Sequence, residues 1–213
     1  MKKLLMIVAI ILSIKNTIKA QESLIDSREK FQLVFKTGIN YSNVYDEEGN
    51  EYEADPKFGY AVGGVFDIPI GKYIGVQPGA LLSQKGFQGS GTMLGRSYHF
   101  TRITNHIDVP LLIALKPSPY ITIVGGPQYS YLFNKRDVYT NSSSTYAQEQ
   151  ELENDNIRKN VFGFAGGLDI NFNHFSLGTR LNWDVQNNNG DGTSTSPRYK
   201  NVWYQATIGY RFY

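Results

Sequence analysis

Acid and base groups able to do chemistry are few in this chain of 213 residues, which has three histidines, His99, His106 and His174, and no cysteine. His106 and Asp108 share one face of an alternating segment, two positions apart, with Ser83 and Ser130 as conceivable hydroxyl partners from other segments. A hydrolytic triad needs its groups within about 3 Å of one another, and no nucleophile motif accompanies these residues. No enzyme is therefore expected. Scattered histidines without cysteine match no zinc spacing, and neither a metal nor a cofactor is expected. The acids Asp46, Glu47, Glu48, Glu51, Glu53 and Asp55 crowd one segment. Such a run reads as a solvated charged surface, with weak divalent-cation binding as the alternative. Glycine pairs at 63–64, 125–126 and 166–167 lack the following Lys-Ser pair and helix of a phosphate loop, so they read as bends or close-packing positions in strands.

A second charged set is ordered. Lys36, Arg102, Arg180 and Arg211, together with Asp67, Asp108, Asp169 and Asp184, each fall on the polar side of a segment that alternates apolar and polar residues. In the first such segment Phe31, Leu33, Phe35, Thr37, Ile39 and Tyr41 alternate with Gln32, Lys36, Gly38 and Asn40. The pattern recurs over residues 58–68, 74–83, 102–115, 121–133, 162–172, 175–184 and 201–212, giving eight candidate strands. One face of every strand is greasy, and the charges share the other.

Connection lengths say what such strands build. Residues 69–72, 116–119 and 173–174 make tight turns, whereas 42–57, 85–100, 134–160 and 186–200 are long and polar, and the two kinds alternate strictly. Outer-membrane barrels show this asymmetry, with short periplasmic turns, long outside loops and both termini on the periplasmic side. Each run is about 11 residues, enough to cross the hydrocarbon when tilted. Aromatic residues gather near both ends of the runs, as two interfacial girdles require. The expected fold is all-β, an eight-stranded antiparallel up-and-down transmembrane barrel. The polar face then points inward, where opposite charges in similar number predict structural ion pairs that fill the lumen, because eight strands leave room only for side chains. A narrow path for ions or small solutes is one alternative. The other is a soluble lipocalin-like ligand-binding barrel, which would invert the parity and place Phe35, Val62 and Ile123 inside.

Residues 1–20 read as an export signal: Lys2 and Lys3, an apolar run too short to span a bilayer, then a polar stretch to Ala20. This segment carries Lys2, Lys3, Lys15 and Lys19 and no acid, so the formal charge of +2 becomes about −2 without it, and the basic balance implies no nucleic-acid partner. Residues 21–213 are expected to form one barrel domain in the outer membrane of a Gram-negative bacterium.

Residues 105–116, NHIDVPLLIALK, with 121–132, ITIVGGPQYSYL, and 76–86, VQPGALLSQKG, are similar to the pattern of the PorT-like outer-membrane β-barrel family. The resemblance runs from about Phe31 to Tyr213 and implies an eight-stranded barrel with no shared catalytic motif. Barrels of this kind commonly end on an aromatic residue of outward parity as an insertion signal; here Phe212 has that parity and Tyr213 is one residue extra. The partners expected are outer-membrane lipid, the barrel-insertion machinery and a protein at the extracellular loops, and the expected role is a structural or interaction scaffold.

Overall fold

The computed structural model describes residues 26–48, 53–93, 96–141, 144–149, 157–188 and 198–213. The proposed export segment lies outside them, as do the side chains of Asp46, Glu47, Glu48, Glu51 and Glu53. The chain forms β1 (Gln32–Glu48), β2 (Glu53–Pro69), β3 (Ile74–Met93), β4 (Arg96–Ser118), β5 (Ile121–Asn141), β6 (Ser144–Glu149), β7 (Asn160–Phe172), β8 (Phe175–Asp184) and β9 (Arg198–Phe212). Every pairing is antiparallel. The order runs β4-β3-β2-β1-β9-β8-β7-β5, and the β4–β5 pairing closes it into an eight-strand ring with β6 attached to β5. Closure leaves the ring without an edge, the condition for crossing lipid with strands. No helix among the described residues is long and apolar enough to cross a membrane.

Alternation sorts the faces as a membrane barrel requires. Phe35, Leu111 and Ile208 are 50%, 56% and 58% exposed on the outer wall, while Lys36, Asp108 and Thr207 are 5%, 3% and 6% exposed inside. A soluble ligand-binding barrel would have this reversed, and the outward position of Phe35 and Ile123 contradicts that alternative. The aromatic ends meet in pairs. Tyr41 lies 4.9 Å from Phe58 and Tyr129 5.4 Å from Phe162 near the long-hairpin end, and Phe31 lies 5.8 Å from Phe66 near the short-turn end. Tyr213, the extra terminal residue, stacks on the imidazole of His174 at 4.7 Å.

Three of the long connections expected to be loops are largely strand. β3 and β4 stay paired out to Met93 and Arg96, β1 and β2 reach Glu48 and Glu53, and the stretch read as an unstructured loop after residue 134 contains the β5–β6 hairpin. Ring strands accordingly run from 10 to 23 residues instead of a uniform 11. The cause is physical: lipid imposes apolar residues on the outer face only within the bilayer. Beyond it the backbone ladder continues through Ser, Thr, Gln and Gly without an apolar stripe to betray it. One parity change also escaped the pattern. Asn105 pairs with Asn134 but His106 with Leu132, so Phe133 is the extra residue of a β-bulge, and inward positions beyond it become Lys135 and Asp137.

Candidate functional site

The chain's chemistry-bearing side chains converge on the lumen, in levels along the barrel. At the short-turn mouth, the segment around Ser27 folds across the opening. Arg211 donates to the Ser27 hydroxyl at 2.8 Å, to Gln32 Oε1 at 2.8 Å and to the Asn173 carbonyl at 3.1 Å, while Gln32 donates to the Ser27 carbonyl at 2.6 Å. Lys116 Nζ lies 2.7 Å from Asp67 and donates to the Arg28 carbonyl at 3.2 Å, tying the same segment to β4.

Further in, Asp169 of β7 takes a cation from each side. Lys36 of β1 reaches its two oxygens at 2.9 and 3.0 Å, and Arg180 of β8 donates at 2.7 Å. Beyond this level Lys85 of β3 donates to Asp108 of β4 at 2.8 Å and to the Ser130 hydroxyl at 3.1 Å; Ser130 itself donates to Asp108 at 2.6 Å. The Lys85 ammonium also stands 3.6 Å from the ring centroid of Trp203 of β9, so one cation engages three other strands. Nearest the long hairpins, Arg102 grips Asp137 through two parallel bonds of 2.9 and 2.7 Å and donates to the Tyr199 hydroxyl at 3.3 Å. Over it lies an apolar lid of Val44, Phe87 and Tyr199, with Ala54 and Phe100 against it.

Of the eight charges singled out from sequence, Lys36, Asp169 and Arg180 form one group. Asp67, Asp108 and Arg102 pair with Lys116, Lys85 and Asp137, none of which had been singled out. Asp184 accepts from Asn201 at 2.6 Å, and Arg211 is held by amide, hydroxyl and carbonyl groups as described above. Lys85, Lys135 and Asp137 were hidden in segments read as loops and Lys116 in a turn. The signal for Lys85 and Lys116 was available, since they continue the inward parity of Ser83 and Ala114. The parity of Lys135 and Asp137 was masked by the bulge at Phe133.

His106, Asp108, Ser83 and Ser130 do not come together as a triad. Ser130 bonds Asp108 and Lys85, Ser83 accepts from Asn40 at 2.8 Å, and His106 Nδ1 is buried with no hydrogen-bond partner. No group of three or more His, Cys, Asp or Glu side chains among the described residues is placed to hold a metal. Space is equally limited. Three cavities lined by lumen residues have volumes of about 30, 20 and 10 Å³. A site of about 10–15 Å³ admits one water, so each of these has room for at most two or three.

Side chains also stitch the wall from inside where a backbone ladder breaks. The β2–β3 ladder is interrupted between Pro56 and Ala61. Asn40 of β1 donates there to the carbonyls of Tyr60 at 3.1 Å and Gln84 at 3.0 Å, one on each strand. The Ser42 hydroxyl donates to the Gly86 carbonyl at 2.7 Å and lies 3.3 Å from that of Lys57. Backbone acceptors left open toward lipid would cost several kcal/mol each.

The sequence pattern of a family described as "Outer membrane protein beta-barrel domain" matches residues 19–188. Among solved structures the chain is similar to Ail, the attachment invasion locus protein of Yersinia pestis, at 11% identity and a TM-score of 0.48, covering 85% of this chain and 98% of that one. It is similar to OprG from Pseudomonas aeruginosa at 14% identity and a TM-score of 0.48, covering 89% and 99%. Neisserial surface protein A gives 8% identity and a TM-score of 0.43, covering 85% and 97%. No curated protein matches the chain.

Proposed function

The chain belongs to the outer membrane protein beta-barrel domain family, and on that premise we propose that it is a lipid-embedded scaffold working through its long hairpins, with its lumen charge network as a structural plug. The observation that supports this reading most is the filling of the lumen: ion-paired side chains at four levels, lumen cavities of about 30, 20 and 10 Å³, a turn around Ser27 across one mouth and an aromatic lid under the other. A rigid ring with hairpins extended well past the outward apolar band suits presentation of a binding surface, since loops on a fixed scaffold carry most recognition. The PorT-like resemblance, an export signal at residues 1–20, a Gram-negative host and delivery by the barrel-insertion machinery belong to the same reading. A protein partner at the outside hairpins completes it.

The absence of cysteine makes the orientation directly testable. Single cysteines in place of Ser90, on the β3–β4 hairpin, and of Lys72, on a short turn, are challenged in intact cells with an impermeant thiol reagent. Labelling at Ser90→Cys but at Lys72→Cys only after lysis is the expected result. Labelling of Lys72→Cys in intact cells overturns the reading.

A further inference from the structure

Along β4 the inward residues run Arg102, Thr104, His106 and Asp108. The outer two belong to ion-paired levels, Arg102 with Asp137 and Asp108 with Lys85. Between those levels Thr104 and His106 line a chamber of about 20 Å³, which Asp184 of β8 lines as well. β4 and β8 are not neighbours in the ring, since β5 and β7 stand between them on the shorter way round. Thr104, His106 and Asp184 are only 6%, 2% and 1% exposed. Each carries a buried polar atom with no hydrogen-bond partner: Thr104 Oγ1, His106 Nδ1 and Asp184 Oδ1. The second Asp184 oxygen accepts from Asn201 at 2.6 Å, so only half of that carboxylate is satisfied.

A buried polar atom left alone carries its full desolvation penalty, so three of them on one chamber call for a common occupant. The chamber exceeds the roughly 10–15 Å³ that one water needs. Water also matches the chemistry of the lining. One of its hydrogens suits Asp184 Oδ1, which only accepts, and the other suits His106 Nδ1, which accepts when the imidazole proton sits on Nε2. Its oxygen accepts from the Thr104 hydroxyl. Three hydrogen bonds are the usual complement of a buried water. A bare cation would use the same lone pairs, but Lys135 and Arg158 line the same chamber and Lys85 stands at the adjoining level, so positive charge is repelled. An anion meets the Asp184 carboxylate.

We propose that this chamber is a binding site for one ordered water, which joins β4 to β8 across the lumen through Thr104, His106 and Asp184. The water supplies a hydrogen-bonded level between two ion-paired ones and ties strands that share no backbone ladder. The inference rests on the lumen being the structural plug proposed above, yet the two fail separately. Current through the barrel reports whether the lumen conducts, whereas crystallographic density reports whether this one position is filled.

The test uses the full barrel refolded from urea and crystallised in rubidium bromide, whose two ions are told from water by anomalous scattering. A density peak without anomalous signal, within hydrogen-bond distance of Thr104 Oγ1, His106 Nδ1 and Asp184 Oδ1, is the expected result. An empty chamber, or an anomalous peak inside it, overturns the proposal. Urea unfolding of Thr104→Val, which keeps the shape of threonine without its hydroxyl, asks the same question through the sign of the change. With water bound, valine removes a hydrogen bond, and the unfolding equilibrium constant should rise about five- to tenfold. In a dry chamber valine would instead relieve an unpartnered hydroxyl, so a constant that falls or stays unchanged overturns the proposal. Should Thr104→Val fail to fold, the wild-type crystals decide alone.

Discussion

Lys85 is a cation with no exposed surface, in a lumen lined by strands that face lipid on their other side. Its charge is tolerable because Asp108, Ser130 and the Trp203 ring surround it. Removing one member of a buried pair leaves the other charge uncompensated, which typically costs about 3–5 kcal/mol, whereas replacing both by apolar groups is often close to neutral. Lys85→Met is therefore expected to lower unfolding stability by about that amount, and Lys85→Met with Asp108→Leu to recover most of it. Urea unfolding of the barrel in lipid vesicles, followed by tryptophan fluorescence, measures both; strictly additive losses would contradict the pairing. At the exposed end of the charge scale, the Arg28 guanidinium hydrogen-bonded to Asp26 pulls that carboxyl down from 3.8 to about 2. A depressed folded value means the interaction contributes above pH 3.8 and is lost as pH falls toward 2, and solvent screening keeps it small. An NMR titration of Arg28→Ala should return Asp26 to the ordinary carboxylate range.

Single strands carry a different lesson. Within the bilayer their faces were readable residue by residue, because lipid selects apolar side chains outward and ring closure leaves polar ones inward. Outside it the selection ends, so β3 past Ser83, β5 past Phe133 and all of β6 were invisible to an apolar-alternation criterion although their backbones form strand ladders. Bulges are equally silent, since one extra residue such as Phe133 breaks no composition rule while reversing every later side chain. The bulge hid Lys135 and Asp137 among the lumen's ion-pair groups. Gly86 marks where β3 leaves the band. Its φ is +140°, and a Cβ there would lie 2.0 Å from the Arg102 carbonyl oxygen, so Gly86→Ala must move backbone. A loss of about 1–3 kcal/mol is expected, read by urea unfolding. Asn40→Ala should cost a similar amount, about 1–3 kcal/mol, by orphaning the Tyr60 and Gln84 carbonyls in the interrupted β2–β3 ladder. Amide exchange on β2 and β3 should accelerate first.

At the scale of the whole molecule, the absence of disulfides and of a conventional apolar core is reconciled by location. The apolar residues form the outer wall, the backbone is satisfied by a closed ring, and the interior is held by ion pairs and amides. Among the described residues two small apolar clusters face the lumen, one of Leu112, Ala114, Val124 and Ala165 and the other the lid of Val44, Phe87 and Tyr199. The long hairpins then extend the barrel outward as a stalk, while the N-terminal turn shuts the opposite mouth through Ser27, Arg28 and Arg211. Ion pairs occupy four levels between the two mouths. The most direct test is current through a planar lipid bilayer holding the folded barrel, recorded in molar potassium chloride across both voltage signs. A lumen filled and capped in this way predicts no steady single-channel steps, and uniform, persistent conductance steps from the folded wild-type chain would contradict it.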